Sequence, residues 1–125
     1  MMLDSMRQFE AGVFQALAHP TRIAIVEQFC IGEFSVGQLC DKLGIEQANA
    51  SQHLAVLRSK HLVETRKKGN QVLYHLRDPV LANILESLRK YFYAHLNEAL
   101  ELLRAQDGFD ETNGTKKPAK RSTRR

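Results

Sequence analysis

No apolar run in this chain of 125 residues approaches the ~20 residues that a membrane-spanning helix requires. The opening stretch, MMLDSMRQFEAGVF, carries two acids and has no continuous apolar core, which excludes a secretory signal. Two cysteines, Cys30 and Cys40, are too few for a disulfide framework and fit a reducing compartment. These absences predict a cytoplasmic protein with no membrane partner. There is no glycine-rich phosphate loop, no nucleophile elbow and no helical HExxH, and the acids are scattered. Neither an enzyme nor a cofactor is therefore expected. No internal repeat is visible.

The net charge of +4 is unevenly placed. Residues 116–125, KKPAKRSTRR, hold six basic residues and no acid, whereas residues 1–105 hold 12 Lys and Arg against 11 Asp and Glu. The basic balance comes from the tail, so it is no proof that the folded body binds nucleic acid. After Gln106 the hydrophobic content collapses, and a disordered basic tail is expected over 106–125. Residues 1–105 form the expected single domain, with 43% of the whole chain hydrophobic and enough for a modest core.

Within that domain, Leu3, Met6, Phe9, Val13, Phe14 and Leu17 recur at helical spacing and predict a helix over about 4–17. A second begins at His19-Pro20-Thr21-Arg22, where Pro20 suits a first-turn position, and ends at Gly32. Ser35 caps a short third helix, with Gln38 three residues later as in a capping box, and Gly44 permits the turn after it. The fourth helix buries Ala50, Leu54, Leu57 and one side of His53. Residues 62–67 and 71–77 alternate as two strands around a Lys68-Gly69-Asn70 turn. Pro79 opens a last helix to about Arg104, whose apolar stripe is wider than one small core requires.

Short helix, glycine turn, polar-faced helix and basic hairpin are the order of a winged helix-turn-helix, mainly α with a small β-hairpin. Its second helix is built to enter a DNA major groove. Gln47, Asn49, Ser51 and Gln52 are compact donors and acceptors that suit base edges, Ala48 and Arg58 share their exposed face, and the helix N-terminus favours phosphate. Arg66, Lys67 and Lys68 at the hairpin suit phosphates or a narrow minor groove, although a lysine-guarded edge strand has the same composition. Arg22 reads as a structural arginine tied to nearby carbonyls or acids.

These segments resemble the ArsR family of bacterial repressors. The resemblance rests on Ala16-Leu17-Ala18-His19-Pro20-Thr21-Arg22, on Ser35-Val36-Gly37-Gln38-Leu39, on Ser51-Gln52-His53-Leu54 with Leu57-Arg58, and on the wing Gly69-Asn70-Gln71-Val72-Leu73-Tyr74-His75-Leu76. It covers about residues 9–100. It implies a homodimer joined through the first and last helices, a pseudo-palindromic operator on double-stranded DNA, and release when an effector is sensed. A non-regulatory architectural DNA-binding protein is the competing reading.

The resemblance also bears on metals. One family site, for arsenic, lead or cadmium, uses a Cys-x-Cys pair on the helix before the turn, where this chain has Ser35 and Gly37. A zinc site uses Asp and His at the start of the last helix with His and Glu further along. Asp78 matches the first, but Val80, Tyr91 and Ala94 replace the rest. No metal is expected at either. His75, Asp78 and His95 remain a set that only a subunit interface would bring together. The effector stays open between a thiol-reactive signal at Cys30 or Cys40, an unfamiliar metal site, a small molecule near Phe9, Phe14, Tyr91, Phe92 and Tyr93, and constitutive binding without any effector. For the cysteines and the aromatics alike, plain packing is the blander reading.

Overall fold

The computed structural model describes residues 1–112, with side chains described through 106; the basic run at 116–125 lies outside the described residues. The order is α1 (Met2–Leu17), α2 (Pro20–Phe29), α3 (Val36–Leu43), α4 (Gln47–Ser59), β1 (Val63–Lys68), β2 (Gln71–Leu76) and α5 (Val80–Thr112). The chain divides into two compact units, residues 1–83 and the part from Ile84 onward.

In the first unit the boundaries follow local chemistry. His19 caps α2 by accepting from the Thr21 N–H at 3.1 Å, ahead of Pro20 in the first turn. Ser35 and Gln38 close a reciprocal capping box on α3, with bonds of 2.9 and 3.2 Å. Gly44 ends α3 at φ +66°, a left-handed conformation that glycine adopts without a Cβ clash. At the end of α4 the same role falls to His61, at φ +60°. Its N–H donates to the Arg58 carbonyl and that of Leu62 to the Leu57 carbonyl, both at 3.0 Å. Leu62 closes the helix through its N–H while its carbonyl accepts from the Arg77 N–H at 3.0 Å, and β1 starts one residue later than the sequence predicts, at Val63.

Ile25, Val26, Leu39, Ala50, Leu54, Leu57 and Val63 are almost completely shielded from water. They join α2, α3, α4 and the base of the hairpin in one core, which fixes the third and fourth helices at the angle their short turn allows. The strands pair antiparallel from Val63↔Leu76 to Lys68↔Gln71, so Lys68 belongs to the ladder and Gly69-Asn70 makes the turn. Phe34 adds an isolated bridge to the other side of β2, exchanging backbone hydrogen bonds of 3.1 and 2.8 Å with Tyr74.

Helix α5 begins in the first unit and continues through the second from Ile84 onward. It continues past Arg104, where the apolar stripe predicts its end, because no proline intervenes between Pro79 and Pro118. Tyr91 packs its ring against Phe92 and His95 within the helix, at centroid distances of 5.8 and 4.3 Å. No helix among the described residues is long and apolar enough to cross a membrane.

Candidate nucleic-acid interface

Helix α4 buries Ala50, Leu54 and Leu57 and turns Gln47, Ala48, Asn49, Ser51, Gln52, Ala55 and Arg58 to solvent. Among the described residues, the side chains of Gln47, Asn49, Ser51, Gln52 and Arg58 have no hydrogen-bond or ion-pair partner. A helix face with this much unsatisfied donor and acceptor capacity is available to an outside ligand. Glu46 precedes the helix without capping it through its side chain, so the first N–H groups of α4 are also open.

Strand alternation splits the basic hairpin. Residues directly opposite share a face, and successive residues alternate. Lys67↔Val72, Thr65↔Tyr74 and Val63↔Leu76 therefore lie on one face, and Arg66↔Leu73, Glu64↔His75 and Lys68↔Gln71 on the other. Tyr74 lines a cleft together with Ser51, Leu54, Ala55, Arg58 and Ser59 of α4. The face that carries Lys67 is thus the one turned to the polar side of α4. Arg66 is on the opposite face, and its guanidinium is occupied. It donates from Nε to both carboxylate oxygens of Glu33, at 2.8 and 2.9 Å, and from Nη2 to Oε1 at 2.6 Å. Hydrogen bonding from Arg66 holds the Glu33 carboxyl below the usual carboxylate range.

Arg22 is structural, as its position near the start of α2 suggests. It donates to the carbonyls of Ala16 and Gln15 at the end of α1 and lies 3.3 Å through Nη1 from His53 Nδ1. Arginine only donates, so His53 accepts through Nδ1 and must be neutral to do so. The His53 ring is half-buried, 4.5 Å from the His19 ring between centroids. Burial of the ring, then the charges of His19 and Arg22, hold its pKa below the ordinary histidine value. A base whose pKa falls on folding is taken up by protons first in the unfolded chain. Stability is therefore full above the unfolded pKa of about 6.5 and falls as pH drops from there toward the lower folded value. Urea unfolding from neutral to mildly acid pH should show this loss, and His53→Gln, which still accepts from Arg22, should remove its share. An unchanged pH slope in the variant would mean that His53 does not titrate between the two states.

Cys30 is exposed at the end of α2 and Cys40 is partly covered on α3; both are free thiols. Partial burial of its sulfur raises the Cys30 thiol pKa, which lowers the thiolate fraction available for attack. At the positions that match metal ligands, Ser35 and Gly37 belong to the capped start of α3, and Asp78 accepts from the Val80 N–H at 2.9 Å. No three His, Cys, Asp or Glu side chains among the described residues come together as metal ligands do. Phe9, Phe14, Tyr91, Phe92 and Tyr93 are all exposed.

Sequence reasoning missed Tyr74 as part of the cleft and Glu33 as the partner of Arg66. The first was within reach, because a Gly69-Asn70 turn sets Tyr74 opposite Thr65. The second had no local signal, because the partners are 33 residues apart.

Comparison with known proteins places these features in a family. A model described as bacterial regulatory protein, arsR family, matches residues 19–65. The biofilm growth-associated repressor of Xylella fastidiosa is 38% identical over 89 residues, which span 71% of this chain and 78% of the relative. The crystal structure of Rv0081 from M. tuberculosis superposes with a TM-score of 0.70 at 35% identity, covering 76% of this chain and 96% of that one. A homodimeric winged helix-turn-helix DNA-binding domain from Mycobacterium bovis, solved by NMR, superposes at 0.71 with 26% identity, covering 76% and 88%.

Proposed function

The chain belongs to the arsR family of bacterial regulatory proteins, as a winged helix-turn-helix transcriptional regulator and not an enzyme, and from that premise we propose that it is a homodimeric repressor of a palindromic promoter operator. The observation that carries this reading is the unpartnered polar face of α4 beside the basic wing. Gln47, Asn49, Ser51 and Gln52 read base edges in the major groove, and Ala48 lets the backbone at the helix start approach a phosphate. Arg58 in the cleft, Lys67 on the hairpin face of Tyr74 and Lys68 near the wing tip hold the DNA backbone. Arg66, with its guanidinium held by Glu33, is not in this set. Residues 1–105 are the DNA-binding and dimerisation domain, and the cations of 116–125 add sequence-blind attraction to DNA.

The protein works in the cytoplasm. The effector that releases it is a thiol-reactive species or a small apolar molecule, since both sets of familiar metal positions lack most of their ligands. Selection of bound fragments from its own genome tests the central claim. A repressor should hold one operator ~10³-fold or more above random duplex. Uniform affinity for all fragments would make it an architectural protein instead. Titrating the operator complex with metals, oxidants and persulfides then identifies the releasing signal.

A further inference from the structure

The α2–α3 connection grips both strands of the wing. Phe34 is bridged through its backbone to Tyr74 of β2, and the adjacent Glu33 reaches Arg66 of β1 through its side chain. Phe34 is itself anchored. Its ring stacks on Phe29 of α2 at 6.5 Å between centroids, and Lys42 of α3 lies 5.1 Å from the ring centre. A continuous path thus runs from the helices that seat α4 to the outer strand of the hairpin. A two-stranded hairpin standing alone is only marginally stable, so its angle depends on such attachments.

We propose that Glu33 and Arg66 form a clasp that sets the wing against the recognition helix, which makes Arg66 a positioning residue for DNA binding and not a phosphate contact. The inference rests on the DNA-binding reading above. Three features carry it. Both carboxylate oxygens and two guanidinium nitrogens are engaged, a planar fork that fixes direction as well as distance. Arg66 lies on the face of the hairpin opposite Tyr74, the wing residue that lines the α4 cleft, whereas Lys67 shares the Tyr74 face. The charge of Arg66 is already compensated by Glu33, so its approach to DNA would release fewer counterions than a free cation does.

The pair is half-open to solvent, and ion pairs of that kind contribute little to folding stability. Loss of the clasp should accordingly leave folding nearly unchanged. Its effect on DNA binding is capped by the small energy that the pair itself holds. Glu33→Gln and Arg66→Gln should each weaken operator binding about threefold to fivefold. Both should leave the salt dependence of binding at the parent slope. Arg66→Glu should weaken it at least tenfold, because two carboxylates then face each other. The exchange Glu33→Arg with Arg66→Glu rebuilds the pair in reverse and should return affinity to within about twofold of the parent.

A phosphate-contacting Arg66 gives the opposite pattern. Arg66→Gln would then flatten the salt slope by about one, Glu33→Gln would leave binding unchanged or tighten it, and the exchange would stay as weak as Arg66→Glu. Any of these three results overturns the clasp. Hydrogen exchange of the β1 and β2 amides in the DNA-free protein gives a second measurement. Glu33→Gln should speed exchange along the hairpin and the exchanged pair should restore it; parent-like exchange in Glu33→Gln also overturns the clasp. Because that measurement involves no DNA, it separates failure of the clasp from failure of the DNA-binding reading, which would show as a parent protein without an operator.

Discussion

Leu96→Glu is expected to convert the proposed dimer into monomers without unfolding the protomer. Phe92, Leu96, Leu100 and Leu103 follow one another at three- and four-residue spacing along α5, and their exposures are 59, 56, 39 and 55%. Leu3, Met6, Phe9 and Phe14 are likewise exposed on α1. Apolar stripes of this length on a protein of this size mark an interaction surface. A glutamate at position 96 stays in water in the separate chain, so the fold loses nothing. In a dimer closed over α5 it takes one carboxylate from each copy out of water. That costs several kcal/mol per ion, and the dimer dissociation constant should rise by roughly 10³ or more. Sedimentation at low micromolar concentration should show a parent dimer and a folded variant monomer. Operator binding should fall with it, because one protomer reaches only one half-site. A Leu96→Glu protein that still sediments as a dimer would place the interface elsewhere.

The features that the sequence reveals are those whose causes lie within a few residues. The Ser35–Gln38 capping box, Pro20 in the first turn of α2, Gly44 between the two helices and the Gly69-Asn70 hairpin are each set by neighbours. Each of them carries a residue chosen for one backbone geometry. The helix-turn-helix is therefore legible in the amino-acid order alone. The end of α4 is not. His61 stands at a left-handed position where glycine is the usual occupant, and nothing in its identity announces the turn. β1 follows that turn and starts at Val63, one residue later than the sequence predicts.

The site divides in the same way. The polar face of α4 is a helical pattern, and the structure presents it to solvent as the pattern implies. The wing cations look equivalent in sequence, three in a row. Pairing makes them unlike: Lys67 shares the hairpin face of Tyr74, which lines the cleft, and Arg66 lies on the other face, bonded to a carboxylate 33 residues upstream. Likewise the tilted packing of His53 against His19 and its contact with Arg22 depend on the docking of α2 against α4. Composition exposes the groups that are present. Only tertiary packing decides which of them remain free for a ligand, and on this chain it ties Arg66 to Glu33 and brings Tyr74 to the cleft beside α4.

Ser51→Ala and Gln52→Ala should each lower operator affinity by about 1–3 kcal/mol, the discrimination that one good base contact supplies. Random duplex should be bound almost as before, because neither side chain carries charge and the phosphate attraction is untouched. The two residues are exposed and unpartnered, so their removal leaves no buried group unsatisfied and no cavity. Thermal unfolding should accordingly match the parent, which separates a lost contact from a damaged fold. Being neighbours, the two substitutions need not add, and the double variant measures their coupling. Gln52 should also show its partner: a side chain paired bidentately with adenine loses its advantage when that base pair in the operator is changed, and Gln52→Ala should be indifferent to the change. The parent and variant therefore have to be compared on operators substituted one base pair at a time. If no substitution narrows the gap between parent and Gln52→Ala, Gln52 does not read a base. If Ser51→Ala binds the operator like the parent as well, the face of α4 that enters the groove is centred elsewhere, toward Gln47 and Ala48 at the open helix start.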